Sequence, residues 1–539
     1  MPKTAQKTLS FPLAGVSRSK GYREQTRPYS TPWAVNVRGV GPLERRSRGG
    51  SRPGLLRVVN HDFGSKISAI SSVTSVDSGG VLRKDLVVVS DGAFSFLRGS
   101  SVTAPTSDLV TDGGVVITTD DGTAIAFDST VNTAGQVGAG MFNVVERNGR
   151  LLLADSVLKE FDPATGVVTA VTATKGIIPT GCPLVCLYRD RLFLSGADHV
   201  WYCSRQGDIT DWGSGDAGDV GRAFAGQVER AGRIGSVITA MIPASESMLL
   251  IATSNTMWAL RGDPATGTVS MVSDTIGVIS PTAWAEAPGG LIAFLSNDGL
   301  YLMGGGEGSY PRQFSDDRVP ELLRNIDSGT NSIVMCYDAI SRGFHLFITP
   351  AAIVDHESFG QHWFIDIENK AMWPVVFQEG HQPLCATRLQ GSTGLSEVVL
   401  GCRDGYLRKF SAAALTDDGE AIESHILLGP FRLTSDDIND AILTEIHGMM
   451  ADNSGSVTWR VVMADSAEAA VDTAVAGITS VLNNAEPVGV RASGSWSDNR
   501  NKVSRPRARG PWAIVWLSSS NQWAYEAVAV AINQLGRLR

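Results

Sequence analysis

Between about residues 56 and 411 the chain repeats one local pattern: three or four apolar residues, a small or acidic turn carrying Gly, Asn or Asp, then a second apolar run with an aromatic or a leucine. It reads LVVVSDGAFSFL (86–97), VVITTDDGTAIAF (115–127), LLLADSVLKEFD (151–162), LFLSGADHVWYCS (192–204), LLIATSNTMWAL (249–260), LIAFLSNDGLYLM (291–303), FHLFITP with HWFIDIENKAMWPV (344–375) and VVLGCRDGYLRKF (398–410). Two apolar runs around a tight polar turn are the signature of a β-hairpin. Start-to-start spacings of about 29 to about 57 residues fit one propeller blade per hairpin with its outer strands, rather than the tighter rhythm of a sandwich.

A four-stranded blade cannot bury both faces alone, so seven or eight such hairpins imply a closed ring of blades; two consecutive β-sandwiches are the alternative. Helix is sparse. Only RVPELLRNI (318–326) and the alanine-rich ADSAEAAVDTAVA (464–476) have helical character, and the second reads equally as a loop. After Phe410 the rhythm stops in SAAALTDDGEAIES, a candidate linker with a protease-accessible stretch at 417–420. The alternating runs SVTWRVVMAD, GPWAIVWLSSS and QWAYEAVAVAI then predict a small antiparallel sandwich with indoles in its core. The expected fold is all-β: an extended N-terminal arm (1–55), a β-propeller of hairpin repeats (56–411) and a smaller C-terminal β-sandwich-like domain (420–539).

Composition agrees with a folded, turn-dense β protein: 43% of the 539 residues are hydrophobic, 19% are charged, and 58 are glycine without a Gly-X-Y period. Six cysteines without a CxxC pair do not make a disulfide framework at this length, and assembly in a reducing cytoplasm is the simplest expectation. No run of 18 apolar residues and no signal-peptide core is found, so stable membrane insertion is not expected. The net charge of −9 is uneven: residues 1–60 hold 12 Lys and Arg against Glu24 and Glu44, about +10, which leaves about −19 for the remainder. A basic arm of this kind binds nucleic acid, docks on an acidic neighbour or is simply solvated.

Signatures of catalysis are missing. There is no GxSxG, Walker or HExxH motif. The GxGxxG string at Gly213, Gly215 and Gly218 stands among aspartates that would repel phosphate, and Gly304–Gly306 lacks a following Lys or helix. Asp355, His356 and His362 do not complete a metal site of recognised spacing. Asp208, Asp211, Asp216 and Asp219 lie in a Gly-rich loop without EF-hand order, which favours Asx turns over calcium. The sequence thus implies no cofactor, metal or catalytic residue.

The N-terminal stretch has a Gly-Val-Ser start (Gly15, Val16, Ser17), Pro28 and Pro32, then Asn36, then an Arg-rich segment with Arg45 and Arg46 that ends in Arg52-Pro53-Gly54. This opening resembles phage proteins related to tail tubular protein B, the nozzle of short-tailed phages. YRDRLFLSGADHVWYCSRQGDITDW (188–212) and the closing SRPRARGPWAIVWLSSSNQWAYEAVAVAINQLGRLR (504–539) are similar to other segments of such proteins. The chain is shorter than the larger members, so their peripheral insertions are not expected here. The resemblance implies a virion protein assembled in the host cytoplasm: a propeller nozzle in a six-fold homo-oligomeric ring below the tail adaptor, in contact with tail fibre or tip proteins and transiently with passing viral DNA.

On that reading Arg45, Arg46, Arg48 and Arg52 are expected to anchor the arm to another element or subunit, as subunit-interface candidates. Asp208, Asp211, Asp216 and Asp219 are candidates for a negatively charged lumen that DNA slides past. Two other functions compete: a carbohydrate-binding or carbohydrate-cleaving tail propeller, which needs aromatics and carboxylates together at loop tips, and a cellular protein-interaction propeller.

Overall fold

The hairpins of the sequence, whose inner strands such as Arg191–Ser195 and Met248–Thr253 are buried along their whole length, lie in sheets of four antiparallel strands. The structure is a computed structural model; it describes all residues except 1–3, 19–20, 23–28, 42, 44–45, 47, 77–78, 81, 99–130, 138–142, 217, 229–234, 307, 353–360, 391–395, 435–438, 484, 497–501 and 538–539. Among the described residues seven such sheets follow one another, and their first strands are Ile67–Val76, Val144–Arg147, Leu184–Tyr188, Ile238–Ser245, Trp284–Ala287, Asn331–Asp338 and Pro383–Gln390. All seven first strands line one central cavity, and Pro383–Gln390 lies against Ile67–Val76, so the ring closes at seven blades. The protein is a β-propeller. The expected hairpin at 115–127 falls outside the described residues, between the third strand (Ala93–Leu97) and fourth strand (Val131–Gln136) of blade 1.

Closure of the ring is where the expected arm boundary fails. The fourth strand of blade 7 is Gly54–Arg57, which pairs antiparallel with Leu407–Ser411, so the propeller takes its last strand from the end of the arm. A glycine is required at its start. A Cβ on Gly54 would collide with the carbonyl of Thr416 and lie 2.7 Å from that of Ala414. Gly54→Ala is therefore expected to lower stability by about 1–3 kcal/mol through overpacking, whereas Gly218→Ala, which meets nothing within 4 Å, serves as the neutral control in thermal unfolding.

Residues 424–537 form two five-stranded sheets with two N-terminal strands added. One sheet orders Ala34–Val35, Ser424–Arg432, Trp512–Ser519, Val457–Ala464 and Val490–Trp496; in the other, Thr4–Leu9, Tyr525–Arg537 and Asn439–Met450 lie side by side. Lys502–Ser504 and Ala508–Gly510 both pair with Asn439–Met450 and complete that second sheet. Of the two helix candidates, the alanine-rich one forms Ala467–Leu482, capped by Ser466, with Ala470, Val471, Ala474 and Ile478 buried against Leu427, Val462 and Trp516. The other is corrected to a run of turns. Pro320 disfavours helix at the residue before it, Asn325 is left-handed, and the buried Arg318 is drawn to the carbonyls of Lys370 and Phe314.

The described parts of the arm pack against their own chain. Thr4–Leu9 is a strand of the sandwich, Val16 is fully buried with its N–H on the carbonyl of Met372 in blade 6, and the Thr31 hydroxyl donates to the carbonyl of Leu427 in the sandwich. One continuous hydrophobic core joins Leu9, Phe11 and Val16 to blade residues such as Trp373 and sandwich residues such as Trp523. The prolines and glycines keep the segment from forming long strands, and it fills the seam between the two bodies.

Candidate functional site

Three places concentrate polar chemistry: the seam of arm, propeller and sandwich, the axis of the ring, and the outer loop of blade 3. At the seam Asn36 adopts φ 53°, a conformation Asn tolerates. Its side chain accepts from the N–H of Val376 (2.9 Å) and from Arg52 Nε (2.9 Å) and donates to the carbonyl of Glu423 (2.8 Å). Arg52, fully buried, holds Asp417 through both terminal nitrogens, one of them at 2.9 Å to Oδ1. Its guanidinium lies 4.9 Å from the Phe377 ring centre, and its carbonyl accepts from Gln522 of the sandwich (3.0 Å).

The next residue, Asp418, binds Arg57 (2.6 Å) and the buried Arg408 (2.8 Å), while Asp404 takes Arg408 in a bidentate pair at 2.7 Å each. The stretch expected to be a cleavable linker is thus built into the ring closure. Asp417 is 2% exposed, its N–H bonds the carbonyl of Glu420, and the N–H of Asp418 bonds that of Leu55.

Of the two roles expected for the arginines, Arg52 and Arg48 take the inter-element one. Arg52 joins elements of one chain and is inaccessible to a second subunit; Arg48 pairs with Glu526 of the same chain. Arg46 is exposed, and Arg45 lies outside the described residues. The motif residues Gly15, Val16, Asn36, Arg52 and Gly54 all sit at this seam: Gly15 has φ 75°, and a Cβ there would stand 2.8 Å from Ala371 and Met372.

Beside the seam, blade 6 buries two histidines, His345 and His362. His345 stacks on Phe410 (4.6 Å) with Nε2 3.3 Å from Asp338, and His362 lies against Phe377 (5.2 Å) and Phe347 (5.8 Å). Arg38 of the arm is laid over Phe364 at 4.1 Å. Burial, aided by Arg38 and Arg52, pulls the His345 pKa down to about 4; burial, then Arg52 and Arg403, pulls His362 down to about 3. Burial also raises the thiols of Cys186 and Cys336, the latter to about 12, so these cysteines are inert. Asp355 and His356 lie outside the described residues; among the described residues no group of three or more His, Cys, Asp or Glu side chains is placed to hold a metal.

The axial cavity measures about 390 Å³ and is lined by uncharged residues, among them Ser68, Asn143, Met241, Trp284, Met335 and Thr387. That is the size of a small-molecule pocket. Asp208, Asp211, Asp216 and Asp219 are not on this axis. They lie between the third strand (Val200–Cys203) and fourth strand (Phe224–Gln227) of blade 3. There Asp208 accepts from Thr210 (N–H 2.8 Å, hydroxyl 2.7 Å), Asp211 from the N–H of Gly213 (3.0 Å), and Asp219 from the N–H of Gly221 (2.9 Å) and Arg205 (2.6 Å). Asp216 is exposed, and its carbonyl accepts from Arg222 (2.8 Å). Three of the four carboxylates close Asx turns.

No protein-family model and no curated protein matches the sequence. Among solved structures, the chain is similar to the extracellular domain of a putative one-component system from B. thetaiotaomicron (12% identity, TM-score 0.40, 75% of this chain covered), spanning 43% of that protein's length. It is also similar to the WD40 β-propeller domain of Doa1 (12% identity, TM-score 0.34, 66% of this chain and 97% of that one) and to YCF48 from Cyanidioschyzon merolae (12% identity, TM-score 0.38, 66% and 98%).

Proposed function

We propose that this chain is a structural subunit of a phage-type tail nozzle: a homo-oligomeric ring, six-fold by resemblance, that conducts DNA and works by assembly rather than by turnover. The observation that carries the reading is the seam. The residues through which the sequence resembles nozzle proteins, Gly15, Val16, Asn36, Arg52 and Gly54, each meet a steric or burial requirement that welds arm, propeller and sandwich into one body. A conduit subunit transmits load through the whole chain, and a continuous core from Leu9 through Trp373 to Trp523 suits that task. On this reading the DNA path runs between subunits, outside the propeller ring, whose uncharged axial cavity of about 390 Å³ has only the size of a small-molecule pocket. A tail adaptor above and fibre or tip proteins at the periphery are the partners this role entails, in a virion.

A closed ring of identical subunits needs two unlike patches that meet head to tail. Native mass spectrometry and electron microscopy of the protein mixed with the adaptor of its phage tail provide the test. The expected result is a six-fold ring with propellers around a central lumen; a monomer under every condition, adaptor included, refutes the reading.

A further inference from the structure

Residues 491–509 contain Arg491, Arg500, Lys502, Arg505, Arg507 and Arg509 against a single acid, Asp498, in a chain whose net charge is −9. In the basic arm Arg38 and Arg52 are buried at the seam. Here the arginines stay exposed, two of them held on one side by carboxylates. Val490–Trp496 is the outermost strand of one sandwich sheet, and Lys502–Ser504 with Ala508–Gly510 form the outer edge of the other. The two edges are stacked: Trp496 Nε1 donates to the Ser504 hydroxyl (3.2 Å). Together they make one side wall, on which Arg491, Arg505, Arg507 and Arg509 are all exposed.

The arginines on the second edge are oriented. Arg505 gives its Nε to Glu445 (3.3 Å) and Arg509 its Nε to Asp440 (2.6 Å), while their side chains remain 70% and 57% exposed. The terminal nitrogens, the fork that takes an anion in a bidentate pair, carry no hydrogen bond among the described residues. Arg505 and Arg507 flank Pro506, and Arg507 has φ 49°, so the chain steps out between the two edge segments. Every second residue from Val503 to Arg509 is exposed, so Arg505, Arg507 and Arg509 all reach solvent. Charged side chains also guard sheet edges against unwanted pairing. Guarding alone, however, needs no carboxylate to hold a guanidinium by one edge and leave the other open.

We infer that this wall is a sequence-independent contact for the phosphate backbone of nucleic acid, with Arg491, Arg505, Arg507 and Arg509 as its donors. The inference deepens the nozzle reading by naming which face of the subunit meets DNA, and in that sense rests on it. The test uses the full chain and a 20-base-pair duplex of arbitrary sequence, followed by fluorescence anisotropy. Four phosphate contacts give a slope of log affinity against log salt of about −3.6, or roughly 100-fold weaker binding on going from 50 to 200 mM salt. Arg505→Gln with Arg507→Gln should weaken binding to unrelated sequences alike and bring the slope about two units nearer zero. Arg312→Gln, on the outer strand of blade 5, should change neither, and circular dichroism confirms that each variant is folded. Unchanged affinity and slope in the wall variant overturn the inference, as does loss of self-association with no DNA binding in the parent, which makes the wall a protein contact. DNA binding without ring formation would refute the nozzle reading and leave the wall standing; a ring whose wall ignores DNA would do the reverse.

Discussion

Replacing Arg52 by Ala is expected to cost about 3–5 kcal/mol, because it strands the Asp417 carboxylate, 2% exposed, without its partner in the interior. The loss goes beyond one ion pair. Arg52 also holds Asn36 Oδ1 and the carbonyls of Pro53 and Val376, so its removal frees polar groups from the arm and the end of blade 6 together. Denaturant titration should show a lower midpoint, and proteases should then cut at 417–420, which the parent protects through the Asp417–Glu420 turn and the bond of Asp418 to Leu55. The double change Arg52→Met with Asp417→Leu separates the two contributions. A buried pair replaced by apolar groups is often near neutral, so the double variant should recover most of the midpoint. If the single variant loses under 1 kcal/mol, the seam is not the weld described above.

Much of the propeller could be read from local pattern alone, because a blade's inner hairpin is short-range: LLIATSNTMWAL is paired within itself as Met248–Thr253 and Met257–Arg261. What the chain does at long range could not. Gly54–Arg57 reads as the end of a basic arm, and only the partner strand Leu407–Ser411, some 350 residues on, makes it a blade strand. The run TDDGE has the composition of a linker, and each residue has the turn chemistry of one. Asp417 is buried and Asp418 half-buried because two arginines from the other end of the propeller, Arg52 and Arg57, pair with them. Charge counted along the sequence misled in the same way. The N-terminal excess of Lys and Arg suggested an intermolecular surface, but Arg52 and Arg38 face inward, whereas the open arginine face at 505–509 was hidden in a stretch noticed for its resemblance alone.

Acid is expected to unfold this protein well above the range of carboxylate titration. His345, His362 and His425 are fully or almost fully buried, and desolvation holds their folded pKa values at about 4, 3 and 3, against about 6.5 for a solvent-exposed histidine. The sign follows from proton counts. Above pH 6.5 each ring is neutral in both states and stability is unaffected; below it the unfolded chain takes up protons that the folded chain refuses, so stability falls until the folded values are reached. At pH 5 the loss is about 2 kcal/mol for each histidine, or about 6 kcal/mol for three, a large part of the stability of an ordinary domain. Asp338, held low chiefly by its bond to His345 against its own burial, adds to the fall only at lower pH, below the ordinary carboxylate range. His362 is the informative position, since neither ring nitrogen has a partner among the described residues and its surroundings are Phe347 and Phe377. His362→Leu should leave the unfolding midpoint at pH 7.5 nearly unchanged and raise stability at pH 5 by about 2 kcal/mol relative to the parent. Parallel pH profiles for parent and variant between pH 7.5 and pH 5 would mean that His362 is protonated in the folded protein, in which case it is not the desolvated ring that the structure places against Phe347 and Phe377.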